Sequence, residues 1–156
     1  GMTVIGFDPF ISKDELEKQK ITKKEDLADV MKEADIISLH LPHTEKTHYI
    51  IDKNMLSMMK PSTLLINCAR GGTVDESALY DVLKNNTIAG AALDVFETEP
   101  LGETKLTTLD NIVLTPHIGA NTNEGQIRAG TVCAEQVMKV LAGKTPDHWV
   151  NKAFMK

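Results

Sequence analysis

The sequence predicts a doubly wound α/β fold built on a mostly parallel sheet, and three observations carry that expectation. Strand-like apolar runs alternate with helix-like segments along most of the 156 residues. The runs are apolar at consecutive positions, as in strands covered on both faces. Several of them stop at a polar or small residue just before a turn, and in such sheets ligands sit at the carboxyl ends of the strands.

The first run, "MTVIGFDPF", is β-branched and ends at Asp8-Pro9. Thr22-x-x-Glu25 reads as a capping box for a helix whose apolar face holds Leu27, Val30 and Met31. "IISLHLP" is a second strand, "KNMLSMM" a short helix stopped by Pro61, and "STLLINC" a third strand. Thr73-x-x-Glu76 then reads as the cap of a helix reaching about Lys84, with Leu79, Val82 and Leu83 inward. "TIAGAALDV" and "NIVLTP" are two more strands. Asn121-x-x-Glu124 opens a long amphipathic helix with Ile127, Gly130, Ala134, Val137, Met138 and Leu141 at helical spacing, ended by Gly143. Residues 1–142 therefore read as one domain, and 143–156 as a linker or return segment.

Composition narrows the function. Lys plus Arg number 17 against 22 Asp plus Glu, so there is no basic stripe for a phosphate backbone and nucleic acid is not an expected partner. No apolar run is long enough to cross a membrane. Cys68 and Cys133 stand far apart with no Cys-x-x-Cys, which points to a reducing cytoplasm and to no zinc site. Gly1-Met2 reads either as a scar before a start Met or as the middle of a longer protein.

Three strand ends carry the chemistry. Arg70 follows "LLINCA" and precedes Gly71-Gly72, so a guanidinium fork for a carboxylate sits where small residues leave room for a ligand. Asp94 ends the next strand, with Glu97 and Glu99 in the loop before Pro100, and His117 follows the last strand beside Gly119. A His–carboxylate pair is the usual proton-transfer device. Each residue alone has a plainer reading: a surface ion pair for Arg70, a turn cap for Asp94, a solvated acid for Glu99, a hydrogen-bonded turn for His117. Asp8 stands where dinucleotide-binding folds keep an acid for the adenosine ribose, although Phe7-Asp8-Pro9 is also an ordinary turn; no arginine follows it to favour a 2′-phosphate, and Lys13 is the one cation that could. His40, His43 and His48 cluster, but no Cys or carboxylate completes a metal ligand set, and no metal is expected.

"VIGFDP", "LHLPHTEKTHYII", "LLINCARGGTVDESAL", "AGAALDVFETEP" and "LTPHIGANTNEGQ" together resemble the D-isomer-specific 2-hydroxyacid dehydrogenases, particularly their D-3-phosphoglycerate dehydrogenase branch. The resemblance runs to about Asn151 and implies a Rossmann-like NAD-binding domain. It implies that Arg70 binds the substrate carboxylate and carbonyl, that Glu99 is the catalytic acid with Glu97 its neighbouring rival, and that His117 is the acid/base. It implies a cofactor cleft formed by Asp8, Pro9, His40, Leu41, Pro42, Cys68, Ala69, Arg70, Asp94, His117 and Gly119, with NAD as cofactor. The implied substrate is a 2-hydroxy or 2-oxo acid, and the implied assembly a homodimer.

No Gly-x-Gly-x-x-Gly precedes Asp8. The resemblance thus leads us to expect a domain lacking its first strand and glycine-rich loop, and lacking the substrate domain. In the strand order 3-2-1-4-5-6 that loss would part the strand ending at Asp8 from the strand ending at Cys68. Such a chain would lose much of its binding energy for NAD and expose strand edges. A piece of a longer polypeptide, a truncated gene product and a deliberately shortened chain all fit. A non-catalytic relative that senses NAD(H) or docks partners, or an inert fragment, remains the alternative to a dehydrogenase.

Overall fold

The computed structural model describes residues 1–152; the last four residues of the expected linker lie outside the described residues. Two compact units emerge, Gly1–His117 and a second beginning at Ile118.

The first unit holds two parallel sheets. In one, β1 (Val4–Gly6) pairs with β2 (Ile21–Lys23). Between them lies α1 (Lys13–Lys18), capped by Ser12, whose side chain and Glu15 form a reciprocal capping box. The sequence reading lacks both α1 and β2. α1 buries only Leu16, so it shows no apolar stripe, and β2, Ile21-Thr22-Lys23, has a single apolar residue. Thr22 lies within β2, so it cannot cap the next helix. That helix, α2 (Leu27–Glu33), is capped by Asp26, whose carboxylate accepts the Ala28 N–H at 2.9 Å.

The second sheet has the order β3 (Ile36–Leu39), β4 (Leu64–Asn67), β5 (Gly90–Leu93), β6 (Ile112–Leu114). α3 (Lys53–Ser57) connects β3 to β4, and α4 (Glu76–Lys84) connects β4 to β5. A 3-10 turn, Lys105–Thr108, drives Leu106 into the core before β6. The break between the sheets thus falls at β3, not at the strand before Cys68 as expected. β4 is an interior strand, because the β3–α3–β4 and β4–α4–β5 connections add strands in one direction from β3.

The core joins Ile37, Leu39, Leu65 and Leu93 of this sheet to Met31 of α2, Leu56 of α3, and Leu79 and Leu83 of α4. Each such side chain stabilises by roughly 1.5–3 kcal/mol through burial. The opposite face departs from the expected two-sided covering: Ile36, Leu64 and Val113 are exposed. Apolar residues on both faces of a strand permit a second layer but do not supply it.

Register matters most for function. Leu39, Asn67, Leu93 and Leu114 form one row across the four strands, so the segments after them all leave the sheet at one level.

In the second unit, α5 (Asn123–Leu141) is capped by Thr122, not Asn121, with the Thr122 hydroxyl accepting the Gly125 N–H at 3.0 Å. Gly143 at φ 69° ends it, with Lys144 N–H returning to the Lys139 carbonyl at 2.8 Å. Lys139 pairs with Asp147. The apolar stripe predicted for this helix is present, and Ile127, Val137, Met138 and Leu141 on it are exposed.

Candidate active site

β4 ends at Asn67, whose side chain is 2% exposed and fully engaged. Its Oδ1 accepts the Ala69 N–H at 3.0 Å. Its Nδ2 donates to the Arg70 carbonyl at 3.2 Å and to the Thr73 hydroxyl at 3.1 Å. That hydroxyl in turn donates to the Arg70 carbonyl at 2.7 Å. Two buried side chains therefore hold the turn that carries Arg70. Sequence reasoning missed both. Their signal was an amide at a buried strand end and a threonine three residues past the arginine. With Thr73 committed to this turn, α4 is capped by Asp75, which accepts the Ala78 N–H at 2.9 Å.

The Arg70 side chain is exposed and donates from Nη1 to the Ala69 carbonyl at 2.6 Å. It makes no ion pair among the described residues, which removes the surface-salt-bridge reading. The neighbouring glycines do not serve the purpose the sequence suggested. A Cβ on Gly71 would lie 1.7 Å from the Phe96 carbonyl oxygen, so Gly71 makes room for the protein's own next loop. Gly72 has φ 73°, and a Cβ there would meet the His43 ring at 2.9 Å.

The second and third strand ends join this one. The Asp94 N–H donates to the Asn67 carbonyl at 2.9 Å, and the Asp94 carboxylate, nearly buried, accepts the Thr115 hydroxyl at 2.5 Å. Glu99 Oε1 accepts the Phe96 N–H at 3.0 Å, and Oε2 lies 2.7 Å from His117 Nδ1. It is Glu99, not Glu97, that reaches the imidazole. Glu97 instead accepts the Glu76 N–H at 3.0 Å. The His117 hydrogen bond first, and the Phe96 N–H next, hold the Glu99 carboxyl below its ordinary pKa. An ionised carboxylate only accepts, so the His117 proton sits on Nδ1 and Nε2 is left for chemistry. His117 adopts φ 53°, a left-handed conformation uncommon outside glycine and found at sites that aim a side chain.

Contacts therefore run unbroken from Arg70 through Gly71 and Phe96 to Glu99 and His117. The remaining sequence-predicted residues are placed as follows. Asp8 Oδ1 caps the following turn, accepting Phe10 N–H at 2.7 Å and Ile11 N–H at 3.2 Å, in the other sheet from Arg70, with Pro9 beside it. His40 hydrogen-bonds Ser38 at 2.8 Å, Leu41 is half-buried, and the Pro42 carbonyl accepts the Thr47 hydroxyl at 2.6 Å. Cys68 is exposed and unbridged, and Ala69 is buried. Gly119 lies in the second unit. Among the described residues no three His, Cys, Asp or Glu side chains converge as a metal site requires, and His43 and His48 instead contact each other at 3.0 Å.

Residues 1–119 match the model of the D-isomer-specific 2-hydroxyacid dehydrogenase family, NAD-binding domain. The chain belongs to that family. Among curated relatives of these dehydrogenases, D-3-phosphoglycerate dehydrogenase of Methanocaldococcus jannaschii is 48% identical over 151 residues, spanning 97% of this chain and 29% of the relative. Hydroxypyruvate reductase of Thermotoga maritima is 43% identical over 144 residues, 90% of this chain and 46% of the relative. Among solved structures, the NAD-complexed D-isomer-specific 2-hydroxyacid dehydrogenase of Lactobacillus delbrueckii ssp. bulgaricus superposes with a TM-score of 0.84 at 33% identity, covering 96% of this chain and 48% of that one. The chain thus spans from under a third to about half the length of these dehydrogenases. The dehydrogenase fold is Rossmann-like, and its residues suit a dinucleotide. Asp8 keeps Oδ2 clear of protein hydrogen bonds among the described residues, and Asp94 is held at a strand end by the Thr115 hydroxyl.

Proposed function

We propose that this chain carries the catalytic side of an NAD-dependent oxidoreductase acting on a D-2-hydroxy acid or its 2-oxo counterpart. The hydrogen bond between Glu99 and His117, beside an Arg70 that has no protein carboxylate partner among the described residues, supports this reading most directly. Asp8 would hold the adenosine ribose and Asp94 the nicotinamide carboxamide, with His40, Leu41, Pro42, Cys68 and Ala69 lining the cleft. A bound NAD would supply the hydride chemistry at C2, as acceptor in oxidation and donor in reduction.

The chain's own residues do the rest. Arg70 clamps the substrate carboxylate with two parallel N–H donors, which fixes C2 in position. His117 Nε2 takes the hydroxyl proton in oxidation and returns it in reduction. Glu99, ionised, fixes the Nδ1–H tautomer and stabilises the imidazolium while the proton is held. A three-carbon acid of the 3-phosphoglycerate type is the substrate we favour, given the names of the relatives.

We assign residues 1–142 to the cofactor-binding domain and 143–156 to the connection towards a substrate domain. A cytoplasmic homodimer is the expected form, and the exposed apolar stripe on α5 supports self-association. Among the described residues no helix is long and apolar enough to cross a membrane. The test is NADH-dependent reduction of hydroxypyruvate, glyoxylate and phosphohydroxypyruvate. Arg70→Ala and His117→Ala should each cost roughly 10²–10⁴-fold in kcat/KM. Unaltered turnover in both variants would refute the site.

A further inference from the structure

We propose that Glu76 and Glu97 are a positioning pair that locks the Arg70 turn to the loop bearing Glu99. The pair deepens the dehydrogenase reading and rests on it for its kinetic consequence. Each carboxylate accepts the other residue's main-chain N–H. Glu97 Oε1 takes the Glu76 N–H at 3.0 Å, and Glu76 Oε1 takes the Glu97 N–H at 2.6 Å.

Neither bond belongs to regular structure. Glu76 is the first residue of α4, so its N–H has no acceptor inside the helix, and Glu97 supplies one together with a favourable negative charge at the helix N-terminus. The Glu97 N–H lies in a loop and would otherwise face solvent. Two acids set face to face repel, and Glu76 is half-buried, which raises its pKa. The reciprocal main-chain bonds offset that repulsion and connect two loops that carry different parts of the candidate site.

Independent contacts tie the same loops. Gly71 admits the Phe96 carbonyl at a distance no side chain would allow. The Tyr49 N–H donates to the Gly72 carbonyl at 2.8 Å, from a residue held at φ 49°. Ile51 N–H and the Asp75 N–H continue this bridge, to Thr73 and Ile51 carbonyls at 3.1 Å each. Glu99 depends on the result, because its Oε1 is held by Phe96 N–H, the residue next to Glu97. Neither Glu76 nor Glu97 has a hydrogen bond to Arg70 or His117, so both are positioning residues.

The experiment uses the 156-residue chain with Glu76→Ala, Glu97→Ala and the corresponding Gln variants. Gln keeps an acceptor oxygen and discards the charge. The first readout is the Glu99 carboxyl titration by ¹³C NMR; the second is kcat and KM for a 2-oxo acid with NADH. In the Ala variants the Glu99 pKa should rise towards its ordinary value, as the Phe96 and His117 hydrogen bonds lose their fixed geometry, and kcat/KM should fall about 10–100-fold. The Gln variants should restore most of both. A merely structural pair would lower thermal stability and leave the Glu99 titration where it was, and that result overturns the proposal. Should Glu76→Ala fail to fold, Glu97→Ala, at an exposed position, carries the same test. Absence of turnover in the wild-type chain would count against the dehydrogenase reading, while the titration would still decide the pair.

Discussion

Replacing Gly71 with alanine is the sharpest perturbation of this architecture. The new Cβ would stand 1.7 Å from the Phe96 carbonyl oxygen, 2.2 Å from its carbon and 3.0 Å from the Glu97 nitrogen. All three are backbone atoms, so no rotamer change relieves the clash. Reaching ordinary van der Waals separation requires the two loops to part by roughly 1.7 Å or more. That movement breaks the reciprocal Glu76–Glu97 bonds and the registry between the Arg70 turn and Phe96. Two hydrogen bonds at about 1 kcal/mol each, with some strain, give a loss of about 2–3 kcal/mol. For a chain of this size that corresponds to a fall in melting temperature of roughly 4–12 °C. An ångström of misplacement at a reacting centre costs on the order of 10²-fold, so kcat/KM should drop by about that factor or more. The assays are thermal unfolding by circular dichroism and NADH oxidation with a 2-oxo acid. Gly72→Ala is the comparison: φ 73° costs it about 1–2 kcal/mol, but its clash is with the His43 ring, which can rotate away. A Gly71→Ala protein as stable and active as wild type, or one less affected than Gly72→Ala, would refute the close-approach reasoning.

Other outcomes follow from the same geometry. Asn67→Ala strands the Ala69 N–H and removes two donors from the Arg70 turn, so urea unfolding should show a loss of about 2–4 kcal/mol; a loss below 1 kcal/mol would contradict the clamp. Glu99 and Glu76 should bend the acid limb of the stability curve in opposite senses. The folded pKa of Glu99 is lowered, so the unfolded state binds more protons in the window between the two values; its contribution is present above the unfolded pKa and is lost as pH falls through the folded one. The folded pKa of Glu76 is raised, so stability falls as pH rises through its window, and Glu76→Gln should remove that fall while Glu99→Gln removes the other, both read from urea melts across roughly pH 3–6. Asp8→Ala should narrow the preference for NADH over NADPH by about tenfold, or ~1.4 kcal/mol, in paired binding titrations; an unchanged ratio would leave Asp8 only its turn-capping hydrogen bonds.

Much of this fold is legible in apolar runs, because burial selects residue type at strand positions and the runs at β1 and β3–β6 are long enough to show it. What is less legible is which polar residue closes a helix. Thr22-x-x-Glu25 and Thr73-x-x-Glu76 both have the form of capping boxes, yet Asp26 and Asp75 do the capping. A cap needs a side-chain oxygen that nothing else has claimed. Thr22 is committed to β2, and Thr73, fully buried, to the Arg70 carbonyl. Such competition is tertiary and leaves no local trace. The site shows the same division. Arg70, Asp94, Glu99 and His117 stand out because charged or polar residues follow apolar strands, whereas Asn67, Thr73, Glu76 and Glu97 act through partners that only the folded register brings near.

The glycine pair beside Arg70 shows why that distinction bears on function. Read along the chain, small residues near an arginine suggest space left for a ligand. In the fold, Gly71 is filled by the Phe96 carbonyl and Gly72 faces His43, so the space is taken by protein. The arginine gains rigidity from this. The Arg70 carbonyl is held by Asn67 and Thr73, and the glycine behind it is pressed against the next loop. Its guanidinium, by contrast, reaches only the carbonyl of Ala69 among the described residues. A fixed base whose guanidinium has no carboxylate partner among the described residues is the arrangement a carboxylate-binding arginine needs, because the entropy of ordering the site is met in folding and not at each binding event. An arginine serving only to stabilise the turn would be expected to spend its guanidinium on one of the acids nearby. Glu97 and Glu99 lie in the adjoining loop, and each is committed elsewhere, to Glu76 and to His117.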